Sequence, residues 1–167
     1  ELLKYAQTDA LTGLYNKETT EQLTDELLSE DENKSHAFLI LDVDCFKQIN
    51  DIYGHAVGDI VLQKFGKLLK GTFREGDILG RIGGDEFGVI MKNIQTKDIA
   101  MKKAGELLAK TQAYRIDELK GNNISISIGI STAPQDGDCY MDLYKRADQA
   151  LYQAKRSGKA RVCNYFS

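Results

Sequence analysis

The sequence predicts an α+β fold: a central, mostly antiparallel β-sheet flanked by helices. Three observations carry that prediction. Residues 78–82 and 87–91 are strand-like runs separated by Gly83-Gly84-Asp85-Glu86, a β-hairpin pattern whose paired glycines would tolerate the positive φ of a tight turn. Ile124-Ser125-Ile126-Ser127-Ile128-Gly129-Ile130 alternates strictly, as a strand does. Helix-like apolar spacing is mixed with these strands, which implies an antiparallel sheet covered by helices. A doubly wound sheet is excluded. No Gly-x-Gly-x-x-Gly follows a strand and no Gly-x4-Gly-Lys-Ser/Thr exists, so dinucleotide-binding and P-loop architectures are excluded as well.

Taken in order, residues 1–8 read as the end of a helix arriving from an upstream linker, and residues 9–167 as one domain. Asp9-Ala10-Leu11-Thr12-Gly13-Leu14-Tyr15-Asn16-Lys17 is turn-rich, with Gly13 as the breaker. A helix is expected at about 17–29, with Leu23, Leu27 and Leu28 on one face. Residues 29–35 form a polar loop. Ala37-Phe38-Leu39-Ile40-Leu41 is a continuous apolar run, the mark of a strand buried on both faces. A short helix is expected to open at Cys45-Phe46-Lys47. Residues 54–59 read as a loop into a helix at about 59–73, with Asp59 as its candidate N-cap and Ile60, Val61, Phe65, Leu68, Leu69 and Phe73 as its apolar face. Further helices are expected at about 97–112 and 140–156, and an edge strand at about 161–165.

Composition narrows the class. The chain has 167 residues, 42% hydrophobic and 28% charged, enough for one core of ordinary size. A formal net charge of −3 argues against a nucleic-acid-coating surface, and no nucleic-acid partner is expected. No apolar run approaches the roughly 20 residues of a membrane span. Cys45, Cys139 and Cys163 are odd in number and lack metal spacing, so they read as reduced thiols in a cytoplasmic setting. The sequence opens without methionine. It is expected to be a domain of a longer chain, one that a membrane anchor could hold, whose upstream sensory or regulatory part lies outside it.

The chemistry concentrates at two places. The hairpin tip carries adjacent carboxylates, Asp85 and Glu86, and Asp42-Val43-Asp44 ends the buried strand. Asp42 brought near Asp85 and Glu86 makes a cluster that cannot stay ionised without a cation. Oxygen donors without His or Cys suit Mg²⁺ or Mn²⁺, which work with carboxylates and substrate phosphates. An EF-hand is excluded, because Lys47 stands where its loop needs glycine. Directly after these acids, a helix N-terminus at Cys45-Phe46-Lys47 offers backbone N–H groups and a cation to an anion. Asn50 and Asp59 flank a glycine-containing stretch, and a carboxylate there can accept both N–H groups of a guanine edge. The competing readings are a solvated acidic turn and a helix cap.

These stretches resemble one family. Gly83-Gly84-Asp85-Glu86-Phe87, residues 42–51, residues 54–59, residues 9–17, and Ala147 to Lys155 with Gly158 together resemble the GGDEF family of diguanylate cyclases. The match covers essentially the whole chain. The resemblance implies a fold similar to the palm of adenylyl cyclases and polymerases. It also implies condensation of two GTP into cyclic di-GMP and two pyrophosphates by a homodimer, with Mg²⁺ or Mn²⁺ as cofactor. Carried over by motif, Asp42, Asp85 and the Val43 carbonyl are metal ligands. Glu86 completes the catalytic set with Asp42 and Asp85, as ligand or as base for the 3′-hydroxyl. GTP would be held by the amides of Cys45 and Phe46, by Lys47, Lys155 and Lys159, and by Asn50 and Asp59 at the guanine. Gly84 would leave room for substrate beside the hairpin.

Arg74-Glu75-Gly76-Asp77 matches the RxxD pattern that precedes GGDEF by five residues in feedback-inhibited members. The resemblance therefore implies a product site at Arg74 and Asp77, with cyclic di-GMP as inhibitor as well as product. Four departures are visible: Lys17 and Lys159 replace frequent arginines, Ala160 a frequent asparagine, and Cys45 a frequent phenylalanine. Lysine keeps the charge and loses the bidentate fork. The rival reading is a non-catalytic module that binds GTP or cyclic di-GMP; a third is a related palm-type cyclase with another base choice.

Overall fold

A computed structural model describes residues 2–166 of the chain. The N-terminal residues form helix α1 (Leu2–Gln7), followed by α2 (Lys17–Glu30), β1 (His36–Val43), α3 (Phe46–Tyr53) and α4 (His55–Thr72). The hairpin strands are β2 (Ile78–Arg81) and β3 (Glu86–Met91), and α5 (Lys97–Ala113) follows. A 3₁₀ turn at Asp117–Leu119 leads to β4 (Ile126–Ala133), α6 (Tyr140–Arg156) and β5 (Val162–Asn164). Among the described residues no helix is long and apolar enough to cross a membrane.

The five strands form one sheet in the order β2-β3-β1-β4-β5. Every pairing is antiparallel except β4 with β5, which run parallel because α6 crosses over between them. The expected fold class is therefore borne out. β1 lies at the centre, and all eight of its residues are buried, as its unbroken apolar run implies.

Strand periodicity sorts the core into two layers. Leu39, Leu41 and Val43 of β1 join Phe87 and Val89 against Val61, Phe65 and Leu69 of α4 and Ala100, Ala104 and Leu107 of α5. Phe38 and Ile40 face the other way, with Ile78 and Ile90, against Leu27 and Leu28 of α2 and Tyr140, Leu143, Ala147 and Leu151 of α6. The alternation continues to Asp42, so this acid points to the face that α6 covers.

Three details differ from the sequence-based expectation. The hairpin tip, residues 82–85, closes through Ile82 N–H and Gly83 N–H, both donating to the Glu86 carbonyl at 2.9 and 3.2 Å. Neither Gly83 nor Gly84 adopts positive φ, because a four-residue tip does not need the mirror-image turn of a two-residue one. Helix α4 begins at His55 and not at 59. Gly54 alone (φ +91°) breaks the chain, its N–H closing α3 on the Asn50 carbonyl while its own carbonyl accepts from Gly58. Asp59 is consequently one turn inside α4 and does not cap it. Finally, β4 starts at Ile126 and runs to Ala133, because it pairs with β1 back to His36.

Helix α6 sits unusually close to the sheet. A Cβ built on Gly129 of β4 would lie 2.2 Å from the Ala147 carbonyl oxygen and 2.3 Å from the Leu151 nitrogen. Both atoms are helix backbone and cannot swing aside. Gly129→Ala is therefore expected to lower stability by about 1–3 kcal/mol, read from the urea midpoint.

His36 is buried at the start of β1, where its Nδ1 accepts from Asn93 N–H at 3.1 Å. Burial, then Lys34 and Lys92, hold its pKa below the ordinary value, outweighing Glu30 and Asp31. Because the folded pKa is depressed, unfolding takes up a proton, and this residue destabilises the fold as pH falls below about 6.5. The parent should lose stability relative to His36→Gln between pH 7.5 and 5, by at most about 1.4 kcal/mol per pH unit, in parallel urea titrations. An unchanged difference between the two proteins would contradict this.

Candidate active site

The register of the central strands assembles the site. Asp42 near the end of β1 stands directly opposite Glu86 at the start of β3. Asp85 occupies the hairpin tip beside them, and its carbonyl accepts from Val43 N–H at 3.3 Å. Like charges facing each other across a ladder repel, so the surroundings must compensate.

Helix α6 supplies both compensating groups. The Lys155 ammonium donates to Asp42 Oδ2, and the Tyr144 hydroxyl donates to Glu86 Oε1 at 2.7 Å. The Asp85 carboxyl also lies close to that of Asp42. Burial first, and that contact second, push the Asp42 carboxyl up to about 7 against the pull of Lys155. Asp42 Oδ1 is buried and has no hydrogen-bond partner among the described residues. Glu86 is also raised, chiefly by burial, with Tyr144 opposing and Asp148 and Asp85 adding to the shift. Burial alone would lower the Lys155 pKa, but Asp42, Asp85 and Asp44 outweigh it and keep the ammonium charged.

Asp44 does a different job. Its carboxylate accepts from the Ser125 and Ser127 hydroxyls at 2.6 and 2.7 Å and from Ala160 N–H at 3.1 Å. It thereby ties the end of β1 to β4 and to the segment after α6. That segment places Lys159 Nζ 3.2 Å from Cys45 Sγ. Cys45 has φ 56° and makes no side-chain cap, so the first turn of α3 keeps its N–H groups open to an anion. Phe46 packs against the core, whereas Lys47 is exposed.

The remaining candidates divide. Asn50 of α3 is nested against α4: a Cβ on Gly58 would come within 1.9 Å of its Oδ1. Asp59 is the next residue of α4 and is exposed. Gly84 has open space beside it, since a Cβ there would meet no atom within 4 Å. Lys155 is brought to the acids and not to the amides of α3, where Lys159 stands instead. Arg74 and Asp77 lie together after α4, bordering a cleft of about 560 Å³ with Gly13, Lys70 and Glu75. Asp77 is buried and accepts from the backbone N–H groups of Arg74 and Lys92 at 3.2 and 3.1 Å. Arg74 is largely exposed and donates to the Lys92 carbonyl.

Two residues escaped the sequence reading. Arg81 donates to the Gly84 carbonyl through Nε and Nη2, at 3.1 and 2.8 Å, and pairs with Asp9 at 3.1 Å. It thus fixes the hairpin tip to the turn at 9–14, where Asp9 also accepts from Thr12. Its place two residues upstream of the glycines was the available signal. Tyr144 gave none, because it lies three residues before the motif at 147–155.

Comparison with known proteins matches this arrangement to a described family. The family model "Diguanylate cyclase, GGDEF domain" matches residues 6–161. Diguanylate cyclase A of Treponema denticola is 36% identical over 168 residues, covering 97% of this chain and 45% of that protein. The chain spans about half or less of the length of the curated relatives it matches. Among solved structures, the GGDEF domain of TpbB (YfiN) from Pseudomonas aeruginosa superposes with a TM-score of 0.90 at 33% identity, covering 95% of this chain and 94% of that one. The coiled coil and GGDEF domain of DgcB from Caulobacter crescentus, in complex with c-di-GMP, gives 0.89 at 25% identity, with 98% and 87% covered. With that family model matching most of its length, the chain belongs to the GGDEF domain family of the diguanylate cyclases.

Proposed function

We propose that this domain condenses two GTP molecules into cyclic di-GMP with release of two pyrophosphates, acting as a two-fold pair of domains. The observation that carries the reading is the meeting of Asp42 and Asp85 at the end of the sheet, beside an uncapped helix N-terminus. Carboxylates next to open amides are the parts a metal–triphosphate substrate needs.

The residues fit a divalent cation. Asp42, Asp85 and the Val43 carbonyl offer oxygen donors only, and Asp42 Oδ1 is a buried acceptor without a partner among the described residues. The chemistry that Mg²⁺ or Mn²⁺ supplies there is charge, which lowers the pKa of the attacking hydroxyl and offsets that of the leaving pyrophosphate. In this reading the amides of Cys45 and Phe46, with Lys47 and Lys159, hold the β- and γ-phosphates. Lys155 exchanges Asp42 for the triphosphate when substrate enters. Asn50 and Asp59 orient the guanine, and the open side of Gly84 admits the nucleotide against the tip. Glu86 stands beside the attacking hydroxyl.

The reaction is then balanced. The 3′-oxygen of one GTP forms a bond to the α-phosphorus of the other, the bond from that phosphorus to the pyrophosphate oxygen breaks, and the hydroxyl proton leaves to base or water. The step occurs twice. Because each domain holds one GTP, two domains must face each other. An upstream segment that raises their effective concentration would switch the activity on. The substrate is a cytoplasmic nucleotide, which places the domain in the cytoplasm.

The cleft bordered by Arg74 supports a product site. Asp77 spends its carboxylate on backbone N–H groups, so binding there falls mainly to the exposed Arg74. Arg74→Ala should weaken inhibition by cyclic di-GMP about ten- to a hundredfold, the worth of a charged hydrogen bond, while turnover at low product stays near the parent's. An unaltered inhibition constant would remove Arg74 from that role.

The function itself is tested by incubating the chain at high concentration with GTP and Mg²⁺ and separating products by chromatography. Cyclic di-GMP should form, and Asp85→Ala should abolish it with the fold retained by circular dichroism. Absence of product even from a chain fused to a constitutive dimer would overturn the cyclase reading and leave a nucleotide-binding module.

A further inference from the structure

Two acids of the site are separated by what α6 does to them. The Asp85 carboxyl lies close to that of Asp42, whereas the Glu86 carboxylate is held by the Tyr144 hydroxyl at 2.7 Å. Tyr144 is itself held firmly. Its ring stacks on Tyr140 with centroids 5.9 Å apart and planes 30° apart, and Tyr140 meets Phe38 of β1 edge-on at 5.3 Å. The Tyr140 N–H donates to Asp25 of α2 at 2.7 Å, which fixes the start of α6 against α2. A chain of three aromatic rings therefore runs from the middle of the sheet to the Glu86 carboxylate.

We propose that Tyr144 is a positioning residue that aims Glu86, keeping its carboxylate out of the Asp42–Asp85 pair and available to the attacking hydroxyl. The proposal rests on the cyclase reading for its catalytic half only. The geometry makes a directional demand. A hydroxyl anchored through stacked rings lets the carboxylate pivot little, and a glutamate without it has the reach to join Asp42 opposite and Asp85 beside it. The buried surroundings keep Tyr144 protonated, so it stays a donor. Freed from this bond, Glu86 would add a third carboxylate to the pair, and added ligand charge raises affinity for a divalent cation. Its loss from beside the hydroxyl would slow the chemical step.

The test is a double-mutant cycle of Tyr144→Phe and Glu86→Gln, with Phe keeping the ring stack and removing only the hydroxyl. One arm measures Mn²⁺ affinity of the nucleotide-free chain by electron paramagnetic resonance; the other measures kcat and KM for GTP. Tyr144→Phe should tighten Mn²⁺ by about threefold or more, through the freed carboxylate. It should lower kcat about tenfold while KM stays within about twofold. Neither change should appear when Glu86 is already Gln. Unchanged Mn²⁺ affinity in Tyr144→Phe, or the same change in both backgrounds, overturns the proposal. A parent chain that makes no cyclic di-GMP defeats the cyclase reading, and the Mn²⁺ arm still decides the aim of Glu86.

Discussion

The close seating of α6 on β4 is the constraint on which the rest depends. The helix can approach only because Gly129 presents no side chain to the backbone at Ala147 and Leu151. The small residues Ala147, Ala150 and Ala154 on its inner face allow the same approach from the other side. This proximity lets Lys155 and Tyr144, three turns apart on one helix, reach two acids that stand opposite each other in the sheet. It also returns the chain after the helix to the end of β1, where Asp44 collects it. A helix displaced outward by the width of one methyl group would still cover the apolar face. It would no longer reach the acids.

The electrostatics explain why such precision is required. Asp42 and Glu86 are register partners on a face that burial makes hostile to charge, and both carboxyls are raised by it. Each is answered by one group from α6, an ammonium for Asp42 and a phenol for Glu86. The answers differ in kind. Lys155 neutralises a charge and can leave when another cation or a phosphate competes, whereas Tyr144 donates a single directed bond and keeps the carboxylate in place. Asp44 needs no cation, since two serine hydroxyls and a backbone N–H satisfy it. Three acids within as many residue steps of the sheet end thus have three separate fates, decided by what the neighbouring elements bring to each.

Much of this was legible in the sequence, and the remainder was hidden for identifiable reasons. The strands, helices and their apolar faces follow from periodicity, which depends only on neighbours a few residues apart. Leu27 and Leu28, or Val61, Phe65 and Leu69, could be assigned on that basis. The clustering of Asp42 with the hairpin acids followed from where a buried strand ends. What periodicity could not give was the geometry of breaks. A single Gly54 suffices to separate two helices, so Asp59 moves from cap to interior. The tip glycines look like carriers of positive φ and are not, because the loop has four residues. Long-range partners were equally hidden: Arg81 meets Asp9 across 72 positions and Tyr144 meets Glu86 across 58. Their residue types are ordinary at those places, and only the packing gives them a role.

The site has a firm half and an open half, and this bears on the proposed chemistry. β1 and α6 are anchored in the core, whereas α3 buries no residue fully and the glycines of the hairpin tip are exposed. The partly buried Phe46, Ile49 and Tyr53, the nesting of Asn50 against Gly58, and the Arg81 clamp on Gly84 restrain that open side. A substrate with a triphosphate at one end and a base at the other would lie across the two halves and order them. Its reacting phosphorus would then sit at the exposed tip, facing outward. An enzyme that had to complete catalysis alone would gain from enclosing that tip, since excluding water strengthens every charge interaction inside it. Leaving it open makes sense when a second copy supplies the enclosure. The exposed tip and the proposed requirement for two facing domains are, on this argument, consequences of one arrangement.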